Sequence, residues 1–428
     1  MATMDEIYTR FKECRGVSTD TRSISQNSLF FALKGPNFNG NKFAVEALKK
    51  GAKYAVVDEA QEDDDMRFIA VENVLETLQQ LGNFHRKKFN IPVIAITGSN
   101  GKTTTKELMC KVLSGSYQTM ATRGNLNNYI GVPLTLLRMD NNTEIAIVEM
   151  GANQLGDIKE LCTLAQPSHG LITNIGKAHT QGFGNLEGVI RGKSELFQYL
   201  RAQGGTVFIN TDDEVVKNMS KRFDKPYTYP GPQNYYPCKL ISADPYVVLE
   251  TETGDRIKTQ LAGAYNFENL AAALCIGKYF EVPAQAAHQA VSDYVPQDNR
   301  SQILSKGSNT IILDAYNANP SSMRVALNNL IQMRAKNKVA ILGDMLELGN
   351  TSEEEHYQLG LQLTQSDLQH IWLCGELIRP AAKSCPEGRY FSNKQDLIAH
   401  LQKNPIENST ILVKASRAIG LEDVVDYI

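Results

Sequence analysis

The chain has 428 residues, with 44 Lys plus Arg against 47 Asp plus Glu and a formal net charge of −3. At roughly 150 residues per domain the length points to about three domains, and the charge balance excludes the broad positive field that sequence-independent binding of nucleic acid or an acidic membrane requires. With 42% hydrophobic and 21% charged residues the chain is a folded protein, and no apolar run reaches the ~18 residues of a membrane span.

The first residues, Met-Ala-Thr-Met-Asp-Glu-Ile, carry early acids and no apolar core, so they do not read as a secretory signal. Seven cysteines, at 14, 110, 162, 238, 275, 374 and 385, form an odd set without a CxxC pair. Reduced thiols packed in a cytoplasmic protein are the expected reading, and a monomer is expected.

Residues 1 to about 85 hold short apolar runs (Ser28 to Leu33, Tyr54 to Val57, Arg67 to Val71) between polar turns, which predicts a small α/β domain. Leu75, Leu78, Leu81 and Phe84 then recur at helical spacing from Val74 to about Lys88, and Asn90-Ile91-Pro92 marks a boundary. From Pro92 the texture changes to buried strands alternating with helices. The runs Val93 to Thr97, Ile145 to Val148, Gly170 to Thr173 and Thr206 to Asn210 predict a parallel sheet covered on both faces. Pro226 to Pro245, rich in Pro, Tyr and Gly, reads as turns and hairpins. A second doubly wound region begins near Arg300, with strands at Thr310 to Leu313, Val339 to Leu342, Ile371 to Cys374 and Thr410 to Val413.

Ligand sites of open parallel sheets lie beyond the carboxyl ends of the strands. The polar residues at those ends are Gly98 to Thr104, Glu149, Asn174 to His179 and Asn210, then Asp314, Gly343-Asp344 and Lys414. Two sheets are therefore expected to face one cleft.

The run Val93 to Glu107 reads strand, glycine loop, helix start. Glycines allow backbone N–H groups to close around phosphate oxygens, while Lys102 adds a point charge and Thr103 a hydroxyl for Mg²⁺. The loop is shorter than GxxxxGK[ST], which would place a glycine where Ile96 stands. A plain glycine turn explains Gly98 and Gly101 but not the adjoining Lys102-Thr103-Thr104, so the run is read as a nucleotide loop. Glu149, ending an apolar strand, is either a cap for the following turn or a Mg²⁺ ligand, and its place at the sheet edge favours the metal. By residue type alone His179 is an ordinary polar residue and Lys193 a solvated helical lysine. Asn269 divides evenly between a helix-surface amide and a base-edge contact.

The TGSNGKTT loop resembles that of the Mur ligases and the folylpolyglutamate synthases. Three further segments are similar to the MurF-type branch, which joins D-alanyl-D-alanine to UDP-N-acetylmuramoyl-tripeptide: Ala121 to Leu134, Asp314 to Met323 with its Tyr316-Asn317-Ala318-Asn319-Pro320, and Leu342 to Gly349. The resemblance runs from Asp20-Thr21-Arg22 to Lys414-Ala415-Ser416-Arg417. It implies an α/β fold of three domains: residues 1–85, a small domain for the UDP-sugar nucleotide; 86–298, a central P-loop-type parallel-sheet ATPase domain; and 299–428, a Rossmann-like domain closing on ATP and the dipeptide.

The implied chemistry is ATP-dependent peptide ligation through an acyl phosphate, with ATP and Mg²⁺ as cofactors, the tripeptide nucleotide and D-alanyl-D-alanine as partners, and no nucleic acid. It assigns Gly98, Ser99, Asn100, Gly101, Lys102, Thr103, Thr104, Asn269, Arg300 and Asp314 to ATP. Catalysis would rest on Lys102, Glu149, His179 and Lys193. Metal would be held by Thr103 and Glu149, by His179 at a second site, and by Lys193 if it carries a carbamate. Substrate binding would fall to Asp20, Thr21, Arg22, Asn125, Asn127, Asn128, Asn317 and Asn319, the alternative for the three loop asparagines being merely an asparagine-rich loop. Lys414 and Arg417 either add charge on closure or form a surface ion pair. This chain departs from the family at Tyr265, where histidine is usual, at Ala415, where glycine is usual, and at Asn39-Gly40-Asn41. The rivals are a Mur ligase adding a single amino acid, a P-loop kinase, and a nucleotide-gated binding protein without catalysis.

Overall fold

A computed structural model describes residues 2–61, 65–177 and 180–428. The first unit is a four-stranded parallel sheet, in the order 17–18, 29–31, 54–57, 68–70. The predicted amphipathic helix is Val74–Arg86, begun by the Asn73 side chain accepting from the Glu76 N–H. It buries Val74, Leu78 and Leu81 against the sheet, the i, i+4, i+7 stripe its sequence carries.

The central sheet has six parallel strands, ordered 227–229, 206–210, 169–172, 93–97, 145–149, 119–121. Alternate side chains enter different cores: Ile94 and Ile96 pack with the helices Lys102–Leu113 and Asn266–Tyr279, whereas Val93 and Ala95 pack with Asp157–Ala165 and Leu186–Gln203. Both faces are dry, which is why the strands read as continuous apolar runs. The chain leaves Val93–Thr97 toward one edge and returns to its other side at 169–172, so the phosphate loop sits at the topological switch point.

The Pro226 to Pro245 stretch is more regular than its composition suggests. Tyr227–Tyr229 is an edge strand of the central sheet, short because Pro226 and Pro230 bound it. Lys239–Ser242 then opens a three-stranded antiparallel sheet with 246–250 and 256–262. In the last unit the predicted strands are all present in one six-stranded sheet. They are joined by Gln302–Lys306, which pairs antiparallel with Asn309–Leu313, and whose half-exposed residues gave no buried-strand signal. All seven cysteines are free. Among the described residues no helix is long and apolar enough to cross a membrane.

Arg86 ties the first unit to the central one. Its guanidinium, on a residue 8% exposed, donates to the carbonyls of Ala165 (3.0 Å), Phe89 (2.6 Å), Gln166 (3.3 Å) and Ile91 (3.4 Å). Two of those acceptors are carbonyls at the carboxyl end of the helix Asp157–Ala165, where a cation is favoured. Arg86→Ala should destabilise the protein by about 2–3 kcal/mol, because buried acceptors lose a charged donor. Arg86→Lys should recover only part of that, since one ammonium cannot span the four carbonyls. Urea midpoints measure both, and a midpoint for Arg86→Ala equal to wild type would refute this role.

Candidate active site

The carboxyl ends of the central and last sheets line one cleft of about 1070 Å³. Its floor is the phosphate loop. Gly98 (φ +142°) and Gly101 (φ +78°) occupy backbone conformations that L side chains rarely adopt. A Cβ on Gly98 would meet Thr173 Oγ1 at 2.0 Å, and one on Gly101 would meet Asn269 Oδ1 at 2.5 Å. The loop is stitched to the Thr173–Gly176 segment: the Ser99 N–H donates to the Asn174 carbonyl (3.0 Å), the Asn100 N–H to Asn174 Oδ1 (3.0 Å), and Thr173 Oγ1 to the Asn100 carbonyl (2.6 Å). The helix Lys102–Leu113 starts at Gly101 without a side-chain cap, leaving its first N–H groups for an anion. Lys102 Nζ donates to the Gly98 carbonyl (2.8 Å), and burial foremost lowers its pKa.

Glu149 stands beside the helix start, 1% exposed. Its Oε1 accepts from Asn127 Nδ2 (2.7 Å) and Thr103 Oγ1 (3.3 Å). Its Oε2 is buried without a hydrogen bond, and Lys106 Nζ lies 3.6 Å away. A buried carboxylate oxygen without a donor, next to a hydroxyl, fits a hard divalent cation with oxygen ligands. Lys106, 2% exposed, also reaches the Gly124 carbonyl at 3.4 Å. Sequence reading does not single Lys106 out. The available signal is that it follows Thr103 by three residues and so shares its helix face.

Lys193 does not line the cleft and is not the solvated helical lysine its residue type suggests. It is 1% exposed, with Nζ 3.4 Å from the Ala152 carbonyl and 5.4 Å from the centre of the Phe183 ring. Burial, reinforced by the charge on Lys102, pushes its pKa well below the usual lysine value. His179 lies outside the described residues.

Asn125, Asn127 and Asn128 reach the cleft wall. Asn127 turns to Glu149, while Asn128 Oδ1 accepts from the Ile130 and Gly131 N–H groups. Asn269, 6% exposed, is a buried amide: Oδ1 accepts from Thr105 Oγ1 (2.9 Å) and Nδ2 donates to Asn266 Oδ1 (2.8 Å).

The last unit supplies the roof, which includes Arg300, Asp314, Asn317 and Asn319. Arg300 stacks on Tyr316 with Cζ 3.5 Å from the ring centre, Arg417 sits 4.9 Å from the same ring, and the buried Arg300 Nε has no hydrogen bond. Lys414 is no surface ion pair. At 1% exposure it binds Asp314 Oδ2 at 2.5 Å and the Asn317 carbonyl at 3.1 Å. Asn319 caps the helix Pro320–Gln332 and donates across the cleft to Asn100 Oδ1 at 2.8 Å. Beside it the Lys177 N–H donates to Ser321 Oγ, and Lys177 Nζ pairs with Glu355. Tyr265 OH bonds Ser301 Oγ at 2.7 Å, so the residue in place of the usual histidine joins the two units.

One expectation is corrected. Asp344 does not face the cleft: its Oδ1 accepts from the Ile378 N–H (2.8 Å) and fills the space that Gly375 leaves open. Asp20, Thr21 and Arg22 lie in the first unit, the domain in which the sequence sets them, and apart from the cleft lining. Arg22 is 88% exposed at its side chain and pairs with Asp20, whose carboxyl its hydrogen bonds hold down at about 2.

Comparison with known proteins agrees with this geometry. The Mur ligase middle domain matches residues 96–277, the Mur ligase glutamate ligase domain 299–417, and the Mur ligase family catalytic domain 13–86. UDP-N-acetylmuramoyl-tripeptide–D-alanyl-D-alanine ligase of Bacillus subtilis is 34% identical over 96% of this chain and 92% of its own. A crystal structure of MurF from Acinetobacter baumannii superposes with TM-score 0.88 at 28% identity, covering 99% of this chain and 98% of that one. MurF ligase of Thermotoga maritima in complex with ADP does so with TM-score 0.82 at 25% identity, covering 100% and 98%. Sequence, fold and cleft together place the chain in the Mur ligase family, among the UDP-N-acetylmuramoyl-tripeptide–D-alanyl-D-alanine ligases.

Proposed function

We propose that the protein joins D-alanyl-D-alanine to UDP-N-acetylmuramoyl-tripeptide with ATP, giving the pentapeptide, ADP and phosphate. The observation that carries this reading is the single cleft in which the phosphate loop, the Glu149–Thr103 pair and the asparagine loop face Arg300, Asp314 and Lys414. A carboxylate is a poor electrophile, so the tripeptide carboxylate oxygen attacks the γ-phosphorus and ADP leaves. The dipeptide's amine then attacks the acyl carbon, loses a proton, and expels phosphate as the amide forms.

Bringing a carboxylate to a triphosphate at about 4 Å costs about 4 kcal/mol per charge pair at an effective dielectric near 20. Cations held in advance offset that cost. The N–H groups of Gly98 to Thr104 bind the phosphates, and Lys102 exchanges its loop carbonyls for phosphate oxygen. Arg300, braced on Tyr316, approaches from the roof. Mg²⁺, held by Thr103 and Glu149, would neutralise developing charge between the phosphates. Lys193 is read as the site of a carbamate: its amine, kept neutral by burial, adds CO₂ and releases a proton, so that a neutral amine becomes an anion that would serve as a metal ligand. The reading gives His179 a second metal site, Asn125, Asn127, Asn128, Asn317 and Asn319 the peptide, and Asp20, Thr21 and Arg22 the uridine nucleotide. Residues 1–85, 86–298 and 299–428 form the three functional units of a cytoplasmic monomer.

Phosphate release from ATP with the tripeptide nucleotide should depend on D-alanyl-D-alanine and yield a product of pentapeptide mass. Release independent of the dipeptide would favour a kinase or an uncoupled binder. Lys102→Ala should lower kcat/KM for ATP by about 10²–10³-fold while circular dichroism stays native, and full activity would remove the loop's role. Lys193→Ala should be slow and partly rescued by bicarbonate or short carboxylic acids. A Lys193→Ala enzyme as fast as wild type would rule out the carbamate.

A further inference from the structure

The helix Asn266–Tyr279 begins at the cleft with three polar side chains, two of them already committed to packing. Asn266 donates to the Ala262 carbonyl (2.7 Å) and accepts from Asn269 (2.8 Å), while Asn269 accepts from Thr105 (2.9 Å). These amides hold the helix against the phosphate-loop helix. The third, Glu268, turns the other way, toward the end of the strand Thr206–Asn210. Its Oε2 accepts from Asn210 Nδ2 at 2.8 Å, and Asn210 is itself fixed by the Asp212 N–H on its Oδ1 at 3.0 Å. Among the described residues Oε1 of Glu268 accepts no hydrogen bond, and the side chain lines the cleft together with Asp212, Tyr265 and Arg300.

Position along the cleft sets what Glu268 meets. The loop at 98–104 fixes the phosphates, and the peptide side runs toward Glu149 and Asn125–Asn128. By elimination the nucleoside is assigned to the remaining wall, to which Asp212, Asp213, the start of helix Asn266–Tyr279 and Arg300 contribute.

We propose that Glu268 is a specificity-determining residue that selects a 6-aminopurine, its Oε1 accepting one N–H of the exocyclic amine while Asn210 holds the carboxyl in register. A 6-oxo purine would set carbonyl lone pairs against the carboxylate. Burial pushes this carboxyl up to about 7 against the pull of the Asn210 hydrogen bond, with Asp212 and Asp213 adding to the rise. A further donor at Oε1 therefore stabilises the ionised form. Asp213 is otherwise engaged, accepting from the Ile175, Val215 and Val216 N–H groups.

The inference rests on the ATP-dependent reading above, and its test separates the two. Titration calorimetry of the full chain with ADP and with IDP, at a pH of about 8.5 where the Glu268 carboxyl is ionised, should show ADP preferred by at least about tenfold, as expected where a site built for a substrate N–H meets an analogue lacking it. Glu268→Gln, nearly isosteric and able to donate, should narrow that ratio about tenfold, chiefly by improving IDP. Asn210→Ala should narrow it less. A wild-type ratio near one, an unchanged ratio in Glu268→Gln, or an equal loss of both nucleotides overturns the proposal. A wild-type protein that binds neither nucleotide, or whose turnover ignores the dipeptide, overturns the ligase reading instead.

Discussion

A carboxylate at the end of a strand buried on both faces is tolerated only if its neighbours supply charge or donors, and Glu149 organises the cleft around that requirement. Its strand is apolar throughout, so the carboxyl emerges where the sheet stops and the phosphate-loop helix starts. Asn127, Thr103 and Lys106 all turn toward it. Each belongs to a segment with a second role. Asn127 comes from the asparagine loop, Thr103 from the anion-binding turn, and Lys106 from the same helix with a reach to Gly124. One buried charge thereby fixes the phosphate loop relative to the asparagine loop. Reaction between bound groups requires just that fixed separation.

The roof is fixed in a different way, through backbone conformation. Asp298 (φ +56°), Asn299 (φ +55°) and Ser301 (φ +51°) all adopt left-handed backbone although none is glycine. Such residues cost of order 1 kcal/mol or more each and persist where their surroundings over-determine them. Here Ser301 is held by Tyr265 through its hydroxyl and by Asp314 through its N–H, and the Asn299 N–H donates to Gln302. The product is the placement of Arg300 over Tyr316, between the two sheets. Tyr265 extends this control to the start of helix Asn266–Tyr279. A histidine at that position would have to reach Ser301 with a shorter side chain.

Much of this was legible in the sequence where the physics is local or periodic. Buried parallel strands read as apolar runs, the helix over Val74–Arg86 as a 3.6-residue stripe, and the phosphate loop as glycines before Lys102-Thr103-Thr104. Glu149 stood out because its strand is otherwise apolar. Less legible was anything set by tertiary contact. Tyr227–Tyr229 and Gln302–Lys306 are short or half-exposed edge strands, whose residues carry no alternation strong enough to register. Asp344 occupies a strand end like Asp314, yet turns inward because Gly375 leaves room beside it. Asn319 is a helix cap by sequence position, and only the fold brings its amide to Asn100. Nothing local marks Lys106, Lys193 and Lys414 as buried, because their burial depends on which helix or strand covers them.

Buried cations of this kind explain how a chain of net charge −3 serves anionic ligands. Net charge describes the far field, whereas a cleft is governed by the nearest fixed charges and the low-dielectric walls around them. Around this cleft two cations are held in place by groups that carry no full charge, Lys102 by loop carbonyls and Arg300 by the face of Tyr316, whereas Lys106 is shared between the Gly124 carbonyl and the carboxylates of Glu149 (3.6 Å) and Glu107 (3.9 Å). Long side chains so restrained have already lost much of the rotamer freedom that binding would otherwise remove. Lys414 differs, since Asp314 neutralises it directly, and its effect is to brace the aspartate. The cleft lining is itself rich in carboxylates, among them Glu149, Asp212, Asp213 and Glu268, so the positive charge an anionic ligand meets is confined to the few immobilised cations at the phosphate loop and the roof.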